Sequence, residues 1–238
     1  MHGHPNRDEW PGPSVLAVCA HPDDESFGLG AVLADAAASG ASVALLCFTH
    51  GEASTLSEQA LPLGAVRDVE LRTAATVLGL AETRLLDYPD GGLCEVALDE
   101  LVGHVETAAG RNGARALLAF DPGGVTGHPD HQRATEAALQ AADRMGLPVI
   151  GWGVPHDVAT TLNAELGTRF VGRRRDEASI VLEVDRSLQL RAISCHASQS
   201  TDNPVLWRRL ELQGRREYLT WLSRPGCAVT TFDMSRKV

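Results

Sequence analysis

Hydrophobic and polar positions along the chain form short apolar runs separated by longer amphipathic stretches. Residues 14–20, 42–48 and 114–120 are almost entirely apolar, as is typical of strands that are buried on both faces of a parallel sheet. Between the strands, apolar residues recur at helical spacing, with Pro or Gly at the expected ends. Further strands are predicted at 83–87 and 148–152, and helices at 26–39, 62–78, 98–109 and 131–145.

Strand and helix alternate up to about residue 152, which predicts parallel strands joined by right-handed crossovers. The rest is less regular, with strands predicted at 169–171 and 178–184 and helices at 188–196 and 205–222. We therefore predict an α/β fold: a Rossmann-like, mostly parallel sheet with helices on both faces and an irregular C-terminal extension. No linker divides the chain, so residues 14–238 are expected to form a single domain after a disordered lead-in at 1–13.

The charge balance narrows the classes of partner. The chain has 21 Lys and Arg against 31 Asp and Glu, a net charge of −10, which argues against nucleic acid because duplex binding needs a cationic face. No apolar run approaches the roughly 20 residues that span a bilayer, so no membrane partner is expected. The polar N-terminus lacks the apolar region of a secretory signal. The oligomeric state, including a homo-oligomer, is left open.

Cysteine usage favours a reducing compartment. The five cysteines form no C-x-x-C pair, so neither a disulfide framework nor a thiolate zinc site fits the chain. We therefore expect a cytoplasmic protein.

Two segments rich in His and Asp directly follow predicted strands. Residues 21–25 read HPDDE and residues 127–131 read GHPDH, and ligands of open α/β sheets bind at the carboxyl ends of strands. A catalytic zinc site needs three protein ligands and an open position for water. His21 and Asp24 are three residues apart and can meet at one point, with a third ligand from His131 or His128. Asp23 would then be free to act as a general base.

A simpler interpretation is that these residues only cap helices. Asp is a common N-cap residue, and Pro suits the first helical position. Two such segments at two strand ends favour the metal site. A site of two His and one Asp also accepts Fe²⁺, Co²⁺ or Mn²⁺, because affinity alone does not select the metal.

The two segments resemble the signature motifs of the LmbE-like/PIG-L zinc-dependent de-N-acetylases. This family includes the deacetylases of mycothiol and bacillithiol biosynthesis and the mycothiol S-conjugate amidases. The resemblance covers roughly residues 14–200 in the same order. It extends to a T-x-G-E segment at 49–52, an R-x-x-E helix with A-A and L-G at 67–79, a P-D-G-x-L turn at 89–93 and H-x-S-Q at 196–199.

The resemblance implies a role for each matching residue. It assigns Zn²⁺ to His21, Asp24 and His131, the general base to Asp23, and an oxyanion-stabilising or proton-donating role to His128. Asp130 matches the carboxylate that orients His128. The positions that contact substrate are Arg67, Asp90, Glu52 and His50.

Simpler interpretations remain for two of these residues. Arg67 could form a surface ion pair with Glu70, three residues on. Asp90 could be an ordinary turn residue.

The expected activity is hydrolysis of a small-molecule substrate. A zinc-dependent hydrolase of this kind removes an N-acyl group, in the first place acetyl, from an amino sugar or glycoconjugate by metal-activated water. One alternative keeps the metal but cleaves a thiol conjugate or a natural-product amide. Another is a non-catalytic module that binds metal or sugar, which is disfavoured because a passive site needs neither Asp23 nor His128.

Overall fold

The computed structural model describes residue 10, residues 12–56 and residues 62–225. Trp10 is buried in the core, whereas most of the predicted lead-in, residues 1–9 and 11, lies outside the described residues. Cys227 lies outside them as well. The strands are β1 Ser14–Cys19, β2 Ser42–Thr49, β3 Glu82–Tyr88, β4 Ala116–Phe120, β5 Val149–Trp152, β6 Val154–Pro155, β7 Gly172–Arg173, β8 Ile180–Glu183 and β9 Arg216–Ser223.

Seven of these strands form one sheet in the order β3-β2-β1-β4-β5-β9-β8. Strands β1 to β5 are parallel, and β9 runs antiparallel between β5 and β8. The helices are α1 Asp24–Phe27, α2 Gly30–Ala38, α3 Leu63–Leu78, α4 Leu98–Asn112, α5 Gly124–Gly127, α6 Pro129–Met145, α7 His156–Leu166, α8 Ser187–Cys195, α9 Ala197–Ser200 and α10 Pro204–Gln213.

Apolar side chains of β1 alternate between two cores, one on each face of the sheet. Val15 and Ala17 pack into a core with α2, α3, α7 and α8, while Leu16 and Val18 pack into a core with α4 and α6. Successive side chains of a strand point to opposite faces, so a strand that is apolar throughout needs helices on both sides. The predicted α/β class, with a mostly parallel sheet covered on both faces, is confirmed.

The C-terminal part differs from the prediction. The helix predicted over 205–222 ends at Gln213, because Gly214 adopts a positive φ of 63° and turns the chain back. The following residues form β9, which pairs with β5 and β8, so the extension completes the main sheet rather than lying outside it. The strand predicted at 169–171 is also wrong: the pairing residues are Gly172 and Arg173.

Two other elements differ from the sequence prediction. The helix predicted over 26–39 is interrupted between α1 and α2. The pattern gave no element for α7, His156–Leu166, whose apolar face packs on the first core.

The sheet order creates a crevice where the two motif segments lie. From β1 the chain continues to β2 on one side, whereas from β4 it continues to β5 on the other. Such a reversal between neighbouring strands is where ligands bind in open α/β sheets. Residues 21–25 follow β1 and residues 127–131 follow β4 after a short loop, so the fold brings both segments to one place. Within the described residues, no helix combines the length and apolar character needed to cross a membrane.

Candidate metal centre

Three ligand-type side chains from the two motifs converge at the crevice. His21 Nδ1 lies 3.1 Å from His131 Nε2, and His131 Nε2 lies 3.2 Å from Asp24 Oδ1. The nearest Asp24 oxygen to His21 Nδ1 is Oδ2, at 3.9 Å. Zinc ligands about 2.0–2.1 Å from a tetrahedral ion are about 3.3 Å apart. The spacing of the three groups therefore fits a zinc-sized cation.

The outer hydrogen bonds of both histidines leave lone pairs facing each other. His131 Nδ1 lies 3.1 Å from the carbonyl oxygen of Gly124 and must donate its proton there. His21 Nε2 lies 3.0 Å from Asp90 Oδ1, which again calls for a donor. In the neutral rings, His21 Nδ1 and His131 Nε2 are then both acceptors, next to a carboxylate oxygen. Three acceptors in contact need a cation between them, and such outer partners are typical of metal-bound histidine.

His128 lies close enough to belong to a second candidate ligand group. His21, His128 and His131 each offer an atom within 4.8 Å of the others. His128 Nδ1 accepts the backbone N–H of Asp130 at 3.2 Å as the N-cap of α6, so only its Nε2 faces the site. The proton of the neutral ring is then on Nε2, which makes this nitrogen a donor rather than a ligand.

Carboxylates make the centre strongly attractive to positive charge. Burial lowers the pKa of His21, but hydrogen bonds with Asp130 and Asp90 outweigh burial and raise this pKa to about 10. Burial also opposes ionisation of Asp24, yet the neighbouring His131 and His21 lower the Asp24 pKa below its usual value. A metal ion competes for the same lone pairs as the proton on His21.

Asp23 lies beside this centre in a strained backbone conformation. Its φ is 113°, a region that residues other than Gly seldom occupy and that recurs at active sites. Burial raises the pKa of Asp23 to about 6, although the Arg67 charge works in the opposite direction. A carboxyl group with such a pKa can both accept and return a proton near neutral pH.

Arg67 holds Asp23 in place. It is only 3% exposed, and its Nη2 lies 2.9 Å from Asp23 Oδ2. It also donates to the carbonyl oxygens of Pro22 and Gly51. The surface pair with Glu70 does not form, because Glu70 instead accepts hydrogen bonds from the backbone and hydroxyl of Ser198.

Asp130 does not orient His128 through its carboxylate, as the resemblance implied. Its Oδ2 lies 3.4 Å from His21 Nε2, and its oxygens accept the backbone N–H groups of Gly91 and Leu93. Only the backbone N–H of Asp130 reaches His128. The side chain therefore supports a metal-facing histidine and ties the 89–93 turn to α6.

The four residues expected to contact substrate are placed differently from one another. Arg67 and Asp90 line the cavity at the centre, but Asp90 is occupied by His21 and by the backbone N–H of Ala53. Glu52 accepts a hydrogen bond from the backbone N–H of Asp90 and does not line the cavity. His50 also lies outside it, paired with the exposed Asp87.

A buried ion pair joins the first motif to the H-x-S-Q segment. His196 Nε2 lies 2.7 Å from Glu25 Oε1, and both side chains are fully buried. Glu25 Oε2 accepts the backbone N–H of Asp23. Burial lowers the pKa of His196, but the Glu25 charge outweighs it and the pKa is raised. His196 thus supports the Asp23 backbone through Glu25 and does not line the cavity.

Comparison with known proteins identifies the family of this chain. The family model described as PIG-L, GlcNAc-PI de-N-acetylase, matches residues 16–142, more than half of the chain. The chain belongs to this family. A Streptomyces avermitilis protein named 1D-myo-inositol 2-acetamido-2-deoxy-alpha-D-glucopyranoside deacetylase is 32% identical, over 82% of this chain and 85% of its own length. A Streptomyces griseus protein of the same name is 34% identical over 63% of this chain, which spans 54% of that relative.

A solved structure shares the fold of this chain over most of its length. The Pyrococcus horikoshii N,N'-diacetylchitobiose deacetylase superposes with a TM-score of 0.68 at 22% sequence identity, covering 93% of this chain and 87% of that one. At this identity the likeness concerns the fold alone.

The PIG-L model ends at residue 142, but several residues that line the cavity come later in the chain. The cavity has a volume of about 550 Å³, with the metal centre in one part and an apolar part lined by Phe27, Phe120, Trp152, Phe170 and Leu206. Gln199 and Arg209 also line it. The family motifs gave no signal for Trp152, Phe170 or Arg209. These residues reach the crevice from β5, from the segment between α7 and β7, and from α10, respectively.

Proposed function

We propose that this PIG-L family protein is a zinc-dependent hydrolase that removes the N-acetyl group from an amino sugar or glycoconjugate. The observation that carries the proposal is the set of three acceptor atoms, His21 Nδ1, His131 Nε2 and Asp24 Oδ1, facing one point beside Asp23. Relatives at 32–34% identity are named as deacetylases of an acetamido sugar linked to inositol, which favours the same bond here.

The roles of the residues follow from their positions. His21, Asp24 and His131 would hold Zn²⁺, which supplies a bound water with a pKa near 7 and polarises an acyl carbonyl. Asp23 accepts the proton of the attacking water, since its carboxylate lies beside the centre with 17% exposure and a pKa of about 6. Arg67 fixes the orientation of the Asp23 carboxylate through its 2.9 Å contact.

His128 donates from Nε2 to the carbonyl oxygen as that oxygen gains negative charge. Because Nδ1 is occupied by the Asp130 backbone N–H, Nε2 carries the proton without any change of tautomer. A well-placed oxyanion donor contributes about 10²–10³ in rate. The C–N bond then breaks, and Asp23 returns its proton to the departing nitrogen, which leaves acetate and a free amine.

The test combines metal analysis with release of free amine. The metal-loaded protein is incubated with the inositol acetamidoglucoside of its named relatives and with N,N'-diacetylchitobiose, and new amine is measured with an amine-reactive fluorophore. We expect Asp23→Asn and His128→Ala to bind zinc while losing at least about 10²-fold in rate. Asp143→Asn, the same change as Asp23→Asn at an exposed position of α6, should stay active. A zinc-loaded wild-type protein that releases amine from neither sugar, nor from other N-acetylglucosaminides, contradicts the proposal.

The apolar part of the cavity favours one second candidate. Amide hydrolysis of a thiol conjugate would place a larger apolar group against Phe120 and Trp152, which line the cavity beside the centre. An N-acylglucosamine whose acyl group carries an S-benzylated thiol distinguishes the two. Amine release from this compound but not from the acetylated sugars would favour the amidase.

A further inference from the structure

Arg209 places an uncompensated positive charge in the cavity wall. It is only 4% exposed, and two of its five N–H groups have acceptors: the side-chain oxygen of Gln213, at 2.8 Å, and the carbonyl oxygen of Phe27. Both acceptors are neutral. Among the described residues, no carboxylate forms an ion pair with Arg209. A buried charge without a partner costs several kcal/mol, so this arginine is not explained by stability.

Among the described residues, the carboxylate whose charge acts on Arg209 is that of Glu217, and it is already occupied. Glu217 is fully buried, and its Oε1 lies 2.6 Å from Arg186 Nη1. Its Oε2 accepts hydrogen bonds from Trp152 Nε1 at 2.8 Å and from Gln213 Nε2 at 2.6 Å. Arg186, whose side chain is 10% exposed, thus takes the ion pair with this carboxylate, which leaves the charge of Arg209 without a carboxylate partner. That charge matches a single negative charge on a ligand.

Aromatic rings connect Arg209 with the metal centre. The guanidinium carbon lies 5.4 Å from the centre of the Trp152 ring, which lies 5.4 Å from the Phe120 ring. Phe120 in turn lies 5.0 Å from the ring of His131. All four side chains line the same cavity. A substrate bound at the metal can therefore pass an apolar group over Phe120 and Trp152 and end at Arg209.

We propose that Arg209 is a specificity-determining residue that binds a carboxylate on an apolar arm of the substrate. The proposal rests on the proposed function for the position of the amide at the metal centre. It narrows the substrate from any N-acyl amino sugar to one that carries an apolar substituent with a single carboxylate. The guanidinium group suits a carboxylate because its remaining N–H groups lie in one plane and donate in parallel.

A pair of matched probes tests the charge. 4-Phenylbutyrate and its neutral amide, 4-phenylbutyramide, have the same shape, and their dissociation constants are measured by calorimetry on the zinc-loaded protein. Charge-assisted hydrogen bonds favour the carboxylate by about 10- to 100-fold in affinity. Arg209→Gln should abolish this preference. Arg208→Gln removes the same charge from the neighbouring position of α10, where the side chain pairs with Glu165 on the surface, and should retain the preference.

Each other outcome contradicts the proposal. Equal affinities in the wild type, or no measurable binding of either probe, would show that Arg209 does not attract an anion. A preference that persists in Arg209→Gln would place the carboxylate on the metal. Arg209→Lys, which keeps the charge, serves if the Gln variant fails to fold, and it should retain part of the preference.

The acyl and leaving sides are distinguished by turnover. N-succinylglucosamine and N-succinamoylglucosamine carry the charge difference on the acyl group, whereas 4-carboxybenzyl and 4-carbamoylbenzyl N-acetylglucosaminides carry it beyond the sugar. The pair whose carboxylate member has the higher kcat/KM identifies the side. The calorimetric preference for the carboxylate probe requires no turnover. It therefore tests the role of Arg209 separately from the proposed deacetylase activity.

Discussion

Asp90 offers a sharp test of the metal centre because it contacts His21 at Nε2, the ring nitrogen that points away from the proposed metal position. Its Oδ1 lies 3.0 Å from His21 Nε2, while its Oδ2 accepts the backbone N–H of Ala53 at 2.9 Å. In Asp90→Asn only one acceptor oxygen remains for these two donors. Either His21 or Ala53 then faces an NH₂ group. The substitution thus removes a charge-assisted hydrogen bond, about 1.5–3 kcal/mol.

This loss should appear as weaker zinc binding. Removing an outer partner of a metal-bound histidine lowers affinity about 10- to 100-fold, and competition with a chelating dye measures the change directly. Asp87→Asn is the matched control. It removes the same charge at a position three residues before Asp90, where the Asp87 side chain is 96% exposed. We expect the control to bind zinc as the wild type does. If Asp90→Asn also binds zinc with wild-type affinity, His21 is not held for a metal by this carboxylate.

Two further predictions concern Arg67 and its contacts. Arg67→Met leaves the Asp23 carboxylate, which is 17% exposed, without its ion-pair partner and should lower the free energy of unfolding by about 1–3 kcal/mol in urea titration, whereas Arg72→Met, at a surface position of the same helix, should cost less than about 1 kcal/mol. Gly51→Ala would place Cβ 1.9 Å from Arg67 Nη1 at a φ of 62°, while Gly113→Ala has a φ of 59° with no atom within 4 Å. Both variants lose about 1–2 kcal/mol of stability to the left-handed backbone, and Gly51→Ala should lose more stability and activity because its Cβ collides with Arg67. Equal losses of stability and activity in the two variants would refute this steric argument.

Much of the fold follows from the sequence because the parallel strands are buried on both faces. Strands such as β1 and β4 are continuous apolar runs, which is typical of parallel strands buried on both faces. The β9 strand is harder to recognise, since it buries Glu217 and leaves Trp221 half-buried. Its residues follow a helix whose apolar positions suggest continuation. Gly214 was the available signal that the helix ends.

The site is predictable only where chemistry is local in sequence. The H-P-D-D and H-P-D-H segments each combine ligand types with a strand end, so His21, Asp24 and His131 could be proposed from spacing and resemblance together. The partner of a carboxylate is a matter of tertiary packing. Asp130 is one residue from His131 and two from His128, yet its side chain reaches His21 on another loop. No pattern within 127–131 could have indicated that contact.

The residues proposed for the chemistry and those proposed for substrate selection lie on different parts of the chain. The residues proposed to hold the metal, move the proton and stabilise the oxyanion all lie within the matched PIG-L region, residues 16–142. In the described structure, Trp152, Phe170, Leu206 and Arg209 complete the cavity from beyond that region. Family membership therefore constrains the bond that is cleaved more tightly than the group attached to it. Arg209 is the clearest case, because its buried charge has no role in the metal centre and its nearest aromatic neighbours lead from that centre towards it. A substrate chosen only by likeness to the named relatives would leave this charge unmatched.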